Sequence, residues 1–121
     1  MNFYTPSQTV ERSGFSLDTL RYYEKIGLLD DVARASSGQR RFSDADLSWL
    51  DMLRCLRDTG MPIAEMLRFK SLTNSGDGTI RDRIDLLEAH HQAVEERIAH
   101  LRTQQKAIHN KIEYYRSVLS E

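Results

Sequence analysis

The sequence predicts a mostly α-helical protein in which several short helices and a β-hairpin precede one long helix. Two observations support this fold class. In the first half of the chain, residues that cap helix starts alternate with glycines that end helices. In the second half, apolar residues recur at alternating steps of four and three, with no glycine or proline from Arg81 to Ser120.

The first two helices are marked by their capping residues. Thr5 and Gln8 have the spacing of a capping box, and Gly14 ends the short helix that they begin. Ser16 caps a second helix, which Gly27 ends. Two short helices joined by a tight turn predict a helix-turn-helix, with the second helix as the recognition helix.

A β-hairpin is expected between Leu28 and Phe42, where the helical period disappears. Ser36, Ser37 and Gly38 form a turn-forming cluster between two short segments that we expect to be extended. Such a hairpin directly after the recognition helix is a wing. The first part of the chain is therefore predicted to be a winged helix-turn-helix.

Two accessory helices follow the wing. Ser43 caps the first of them, and Gly60 ends it. Pro62 can open the next helix, which we expect to reach about Leu72. The segment that follows is polar and rich in turn-forming residues, which is typical of a linker.

The long helix carries a heptad seam from Ile80 to Leu119 that is apolar or aromatic except at His91 and Gln105. One helix cannot bury such a stripe on itself, so we expect a homodimer joined by a coiled coil, whose direction the pattern does not give. The expected dimer contacts are Ile80, Ile84, Leu87, Val94, Ile98, Leu101, Ile108, Ile112 and Tyr115. Three parts are thus predicted: a winged helix-turn-helix domain (1–72), a linker (73–78) and a dimerisation helix (79–120).

Composition excludes several classes of protein. The chain has 17 basic and 18 acidic residues, so bulk charge does not indicate a nucleic-acid binder, and any basic surface needs local segregation of arginines. A single cysteine excludes an internal disulfide framework and a site built from several cysteines in one chain. No apolar run approaches the ~20 residues that span a bilayer. We therefore expect a soluble, cytoplasmic protein that does not interact with membranes.

Two segments resemble a known family. Residues 20–29, LRYYEKIGLL, resemble the recognition-helix motif of MerR-type transcriptional regulators, and residues 38–42, GQRRF, are similar to their wing motif, with Gln39 where the family usually carries tyrosine. The order of elements also resembles that family over essentially the whole chain. The resemblance implies a homodimer joined by an antiparallel coiled coil. It also implies binding to a two-fold operator in double-stranded promoter DNA, which the dimer bends and untwists so that RNA polymerase can engage both promoter elements.

The resemblance implies a DNA-binding role for residues 1–72, and side-chain chemistry suggests which residues act. Arg21 can form bidentate bonds to guanine or phosphate. The Tyr22 hydroxyl can reach a phosphate, whereas we expect Tyr23 to be partly buried. Thr5 lies at a helix N-terminus that could hold a phosphate. The expected DNA-binding residues are Thr5, Thr19, Arg21, Tyr22, Tyr23, Arg34, Gln39, Arg40 and Arg41.

Cys55 is the candidate sensor residue. Residues 53–63 resemble the aldehyde- and electrophile-responsive NmlR or AdhR-like subgroup, in which one cysteine occupies the matching position. Cys55 lies off the apolar face that Trp49, Leu50, Leu53 and Leu56 share on its predicted helix. Near it, Asp51 would disfavour a thiolate and Arg54 would favour one. A regulator that responds to a small ligand or partner, with Cys55 only structural, remains the alternative.

Other functions and sites have less support. Metal-sensing members of the family carry cysteines at and after the start of the dimerisation helix, and this chain has none there, so we expect no metal or cofactor. The neighbouring His90 and His91 point about 100° apart on a helix and cannot chelate together. A purely structural coiled coil would not need the helix-turn-helix. A thiol enzyme would need a base near Cys55, but no histidine precedes His90 and no catalytic motif is present, so we expect no enzyme.

Overall fold

A computed structural model describes residues 2–121 and confirms a mostly helical fold. The elements are β1 (Phe3–Tyr4), α1 (Pro6–Ser13), α2 (Leu17–Ile26), β2 (Ala33–Arg34), β3 (Arg40–Ser43), α3 (Asp44–Asp58), α4 (Ile63–Asn74) and α5 (Ile80–Ser120), with a 3-10 turn at Asp77–Thr79. The chain forms two compact units, one extending to Arg83 and the other comprising Ile84–Glu121. The boundary between them therefore lies within the first turns of α5.

The first two helices begin and end where their capping residues predict. Thr5 Oγ1 accepts a hydrogen bond from the Gln8 amide at 3.2 Å, and Gln8 Oε1 accepts one from the Thr5 amide at 2.9 Å. Gly14 and Gly27 end α1 and α2 with φ angles of 77° and 85°, a left-handed conformation that glycine adopts without strain. The predicted helix-turn-helix is therefore present.

The wing is a three-stranded sheet rather than a simple hairpin. As predicted, β2 and β3 pair antiparallel, with Ala33 opposite Arg41. In addition, β1 pairs with the other edge of β3, so that Tyr4 lies opposite Phe42 and the strand order is β1-β3-β2. Strand β1 was not predicted, because a strand of two residues has no periodicity in the sequence.

A single apolar core joins the helices to the wing. Trp49 on α3 donates a hydrogen bond from Nε1 to the Leu28 carbonyl at 2.8 Å, and its ring stacks on Phe69 of α4 at 5.7 Å. The predicted apolar face of α3 is thus directed into this core. The buried apolar residues of the first unit are Phe15, Leu20, Tyr23, Leu28, Leu29, Val32, Phe42, Leu50, Leu53, Leu56, Met61, Met66 and Phe69.

The connection between α4 and α5 is an ordered turn. Helix α4 continues past the predicted end at Leu72 as far as Asn74, so residues 73 and 74 are helical rather than part of a linker. Thr79 Oγ1 donates to the Leu72 carbonyl at 2.7 Å, and Arg83 Nη2 donates to the Gly76 carbonyl at 2.7 Å. These side chains satisfy one carbonyl in the last turn of α4 and one in the connection, and the polar composition of the segment does not predict such bonds.

Helix α5 is continuous over 41 residues, and its seam is largely open to solvent in the single chain. Ile108, for example, is 62% exposed, and Leu101 and Ile112 are also exposed. Among the residues that the structure describes, no helix is both long enough and apolar enough to cross a membrane. The apolar stripe of α5 is therefore a surface of the isolated chain.

Candidate nucleic-acid interface

One shallow groove of about 350 Å³ brings together three elements of the first unit. The start of α1, helix α2 and the wing each contribute residues to its lining. The lining residues are Pro6, Ser7, Leu17, Arg21, Arg34, Gly38, Gln39 and Arg40. Four of the predicted DNA-binding residues (Arg21, Arg34, Gln39 and Arg40) thus share one face of the molecule.

The start of α1 presents hydrogen-bond donors at one end of this groove. Thr5 is exposed, and its Oγ1 accepts a bond from the backbone of Gln8 while keeping its own proton to donate. The first backbone N–H groups of a helix have no backbone partner within the helix and carry the positive end of the helix dipole. In α1, Pro6 has no N–H and the Gln8 N–H is taken by Thr5 Oγ1, so the Ser7 N–H and the Thr5 hydroxyl are the donors at this end. This end of α1 is suited to an anionic group such as a phosphate.

Helix α2 directs Arg21 and Tyr22 outward and Tyr23 inward. Arg21 is exposed and lies 3.9 Å from the carboxylate of Asp18, which is itself 96% exposed, so their ion pair is loose. The Tyr22 side chain is half exposed. Tyr23 is only 3% exposed and packs edge-on against Phe15 at 5.3 Å, so its ring serves the core and does not fit a direct DNA contact.

Thr19, another predicted contact, belongs to the cap of α2. Its backbone N–H donates to Ser16 Oγ at 3.1 Å, and its hydroxyl accepts a bond from Ser16 Oγ at 2.9 Å. The side chain is half-buried. In this structure Thr19 therefore stabilises the start of the recognition helix.

The arginines of the wing have different surroundings. Arg34 is exposed, and its Nη1 donates to the Gly38 carbonyl at 3.0 Å, which braces the turn at the tip of the wing. Arg41 lies over the ring of Phe3 at 3.8 Å, and its Nε is buried without a hydrogen-bond partner among residues 2–121. Arg41 therefore packs the outer strand β1 onto β3 and is not part of the groove lining.

Arg40 forms an ion pair that the sequence analysis did not anticipate. Its Nη2 lies 3.1 Å from Glu24 Oε1, and its Nε lies 3.3 Å from both carboxylate oxygens. The side chains of Arg40 and Glu24 are 24% and 16% exposed. The pair joins the recognition helix to the central strand of the wing.

Comparison with known proteins identifies the family. A model described as "MerR HTH family regulatory protein" matches residues 4–69, and a second, described as "MerR, DNA binding", matches residues 47–110.

The chain belongs to the MerR family.

Relatives in this family cover most of the chain. An HTH-type transcriptional regulator of Haemophilus influenzae is 41% identical over 112 residues, which are 93% of this chain and 83% of the relative. The regulator AdhR of Bacillus subtilis is 33% identical over 81 residues, 67% of this chain and 58% of AdhR. The predicted family is therefore confirmed, and the similarity to AdhR agrees with the predicted subgroup.

Solved structures of MerR regulators have the same fold. HiNmlR, described as lacking the sensor domain and bound to promoter DNA, is 42% identical, with a TM-score of 0.81 over 87% of this chain and 80% of HiNmlR. A MerR family protein of Listeria monocytogenes is 32% identical, with a TM-score of 0.85 over 93% of this chain and 85% of that protein. The chain is thus a MerR-type DNA-binding transcriptional regulator and not an enzyme.

Cys55 of this MerR protein is exposed on α3. The neighbouring Arg54 is engaged elsewhere, because its Nε donates to Asp58 Oδ2 at 2.8 Å and its Nη1 donates to the Ser13 carbonyl at 3.1 Å. The bond from Arg54 holds the pKa of the Asp58 carboxyl below its usual value. Arg54 therefore links α3 to the turn between α1 and α2, and its guanidinium is bound to Asp58 and Ser13.

The remaining titratable groups do not converge on one site. Among residues 2–121 there is no cluster of three histidine, cysteine, aspartate or glutamate side chains that could hold a metal ion. The groove is the candidate site that brings predicted DNA-binding residues of the first unit together. Its unpredicted lining residues are Pro6, Ser7, Leu17 and Gly38. Glu24 does not line the groove but bonds to Arg40, which does, and the acidic residue within an otherwise basic recognition motif was the available signal for it.

Proposed function

We propose that this chain is a homodimeric MerR-type activator that places the groove of each copy against double-stranded promoter DNA. The observation that carries this proposal is the convergence of the α1 N-terminus, Arg21 of α2 and the wing residues Arg34 and Gln39 on one face. Near-neutral net charge is compatible with DNA binding when arginines are segregated in this way.

Each element of the groove has a role that its chemistry supports. Exposed Arg21 on the recognition helix can form a bidentate bond to guanine or to a phosphate. The wing, through Arg34 and Gln39, and the α1 N-terminus with Thr5 can follow the sugar–phosphate backbone on either side. The relative HiNmlR is bound to promoter DNA in its crystal structure.

Replacement of Arg21 tests the interface directly. Arg21→Ala should weaken operator binding by about 5- to 150-fold, since loss of one bidentate base contact costs on the order of 1–3 kcal/mol. Fluorescence anisotropy at fixed salt measures the affinity, and sedimentation confirms that the oligomeric state is unchanged. Arg68→Ala is a matched control, because Arg68 is exposed on α4 and forms only a loose 3.9 Å pair with Glu65. An Arg21→Ala protein that binds like the control would refute the proposed interface.

A second copy of the chain would cover the open seam of α5. The seam is exposed over most of its length, and an apolar stripe of this extent is an association surface. A dimer also places two recognition helices at one separation, as a two-fold operator requires. We propose that the dimer imposes this separation on promoter DNA by bending and untwisting it, and that RNA polymerase then engages both promoter elements, as the family resemblance implies. This activity would take place in the cytoplasm.

Charges beside the seam favour antiparallel helices. If the two α5 helices run in opposite directions and their seams overlap over the whole length, Ile84 faces Tyr115 of the second copy and Glu95 faces Arg102 of the second copy. A parallel arrangement would instead place Arg97 beside Arg102 of the second copy. Since flanking charges set the orientation of a coiled coil, we propose the antiparallel register.

Cross-linking distinguishes the two directions. In a Cys55→Ser background, the double variant Ile84→Cys/Tyr115→Cys should be linked into dimers by a short bis-maleimide, whereas each single variant should not. In a parallel dimer Ile84→Cys alone would be linked to its own counterpart. Cross-linking of that single variant would therefore overturn the antiparallel proposal.

For the signal, we propose that an aldehyde or another electrophile reacts with the exposed thiol of Cys55. Access to solvent and the resemblance to the AdhR-like subgroup support this proposal. A second candidate, a small ligand or partner protein with Cys55 only structural, is favoured by the engagement of Arg54 with Asp58, which leaves the thiol without that cation. Cys55→Ala should retain operator binding and lose induction by electrophiles; persistent induction in that variant would favour the second candidate.

A further inference from the structure

Glu24 places a carboxylate beside the groove that we propose binds DNA, which is a polyanion. It lies on the recognition helix α2 and forms three bonds of 3.1–3.3 Å with the Arg40 guanidinium of β3. By charge alone, Glu24 opposes DNA binding twice, because it repels phosphates and neutralises an arginine that could contact one. Its fixed bond to Arg40, which lines the groove, therefore calls for another role.

The two ion pairs of α2 differ in kind. Asp18 and Arg21 are separated by 3.9 Å and both are exposed, so a phosphate can replace the carboxylate easily. Glu24 and Arg40 are mostly buried and share several bonds in a fixed geometry. Only the second pair connects two different elements of the fold.

The Glu24–Arg40 ion pair is connected to the tip of the wing through the pairing of β2 and β3. Arg40 lies opposite Arg34 in the β2–β3 ladder, and Arg34 braces the wing turn through the carbonyl of Gly38. A shift of Arg40 would therefore displace Arg34 and the adjacent Gln39, which both line the groove. The recognition helix and the wing are in this way held at one spacing.

We propose that Glu24 is a positioning residue for DNA recognition and that Arg40 acts through it as a link between helix and wing, rather than as a phosphate contact. This inference rests on the proposed function, because it takes the groove to be the DNA interface. The spacing matters because the helix and the wing must contact the same duplex at the same time, and a small misplacement weakens both sets of contacts.

The sign of one substitution separates positioning from simple electrostatics. Glu24→Gln keeps the shape of the side chain and removes its charge. If Glu24 only repels DNA, this variant binds operator more tightly; if Glu24 positions the wing, it binds about fivefold or more weakly. Asp18→Asn is the matched control on the same helix, with the same change of charge and without a fixed partner, and it should bind as well as the unmodified protein or slightly better.

The salt dependence of the operator affinity is the second measurement, because it distinguishes loss of a phosphate contact from a general loss of folded protein. Loss of a phosphate contact lowers the slope of log affinity against log salt by about 1. Arg40→Ala should weaken binding while leaving this slope unchanged, and the charge-swapped protein Glu24→Arg/Arg40→Glu should bind more tightly than Glu24→Arg alone. Circular dichroism at the assay temperature confirms that each variant is folded.

Two results would overturn the inference: Glu24→Gln binding at least as tightly as Asp18→Asn, or Arg40→Ala losing about 1 in the salt slope. If Arg21→Ala also binds like the unmodified protein, the proposed interface itself is wrong. If Arg21→Ala fails to bind while Glu24→Gln binds normally, the interface stands and only the positioning role of Glu24 is refuted.

Discussion

The turn between α1 and α2 allows a sharp test, because Gly14 is restricted twice. Its φ of 77° is one that alanine adopts at a cost of about 1–2 kcal/mol, and a Cβ at this position would collide with the guanidinium of Arg54. Gly27 ends α2 with a similar φ of 85° and has open space where a Cβ would be. The two glycines therefore share the backbone cost and differ in the collision.

Gly14→Ala should destabilise the protein by about 2–4 kcal/mol and Gly27→Ala by about 1–2 kcal/mol. The excess of about 1–2 kcal/mol arises because Arg54 must move and give up its bond to the Ser13 carbonyl. This is below the roughly 1.5–3 kcal/mol of a buried hydrogen bond from a charged group, because the Arg54 side chain is 41% exposed and can move into solvent. Urea unfolding at one protein concentration measures both values, since a dimer makes apparent stability depend on concentration.

A double-mutant cycle isolates the collision. In an Arg54→Ala background, Gly14→Ala should cost no more than Gly27→Ala, because the obstructing side chain is gone. The coupling between positions 14 and 54 should then be about 1–2 kcal/mol. Equal costs for the two glycine substitutions in the unmodified protein would refute this account of the turn.

Three further predictions concern other parts of the chain. Ile108→Asp places a charge on the open seam and should yield monomers by analytical ultracentrifugation, whereas Thr103→Asp, off the seam, should not; a dimeric Ile108→Asp protein would contradict the coiled-coil assignment. The bond that Tyr4 donates to Asp44 at 2.7 Å raises the pKa of Tyr4, so the stabilisation from this bond is present below pH 10 and is lost as pH rises through the raised pKa. Tyr4→Phe should therefore reduce the fall in melting temperature at alkaline pH; an unchanged fall would exclude Tyr4 as its source. Lys70 is buried over Trp49 and donates to Asp30 Oδ2 at 3.0 Å, and Lys70→Ala should cost about 1–3 kcal/mol. Lys70→Met loses the same charge and bond but keeps most of the packing, so it should cost less; equal costs by calorimetry would refute a contribution from packing.

The features that the sequence predicted are those encoded locally. The capping box of Thr5 and Gln8, the glycines after α1 and α2 and the seam of α5 each depend on residues a few positions apart. Burial of the Trp49 and Leu50 face followed from helical spacing in the same way. Local periodicity was therefore enough for the number and order of the helices.

The features that were missed depend on residues far apart in the sequence. Arg40 was expected to contact DNA as a free arginine, but its partner Glu24 is 16 positions away, and nothing local links the two. Arg54 was considered as a neighbour of Cys55, whereas it bonds to Ser13, 41 positions away. A side chain's role at a surface depends on which partner the fold brings to it, and the sequence pattern gives no distance of that kind.

The strand β1 also affects how the protein behaves in concentrated solution. Strand β3 is the longest strand of the wing and is flanked on both sides by strands of only two residues. Exposed strand edges are templates for β-aggregation, and very short edge strands offer few free backbone groups to a neighbouring molecule. Crowded molecules of this regulator should therefore not form intermolecular β-sheets through their wings.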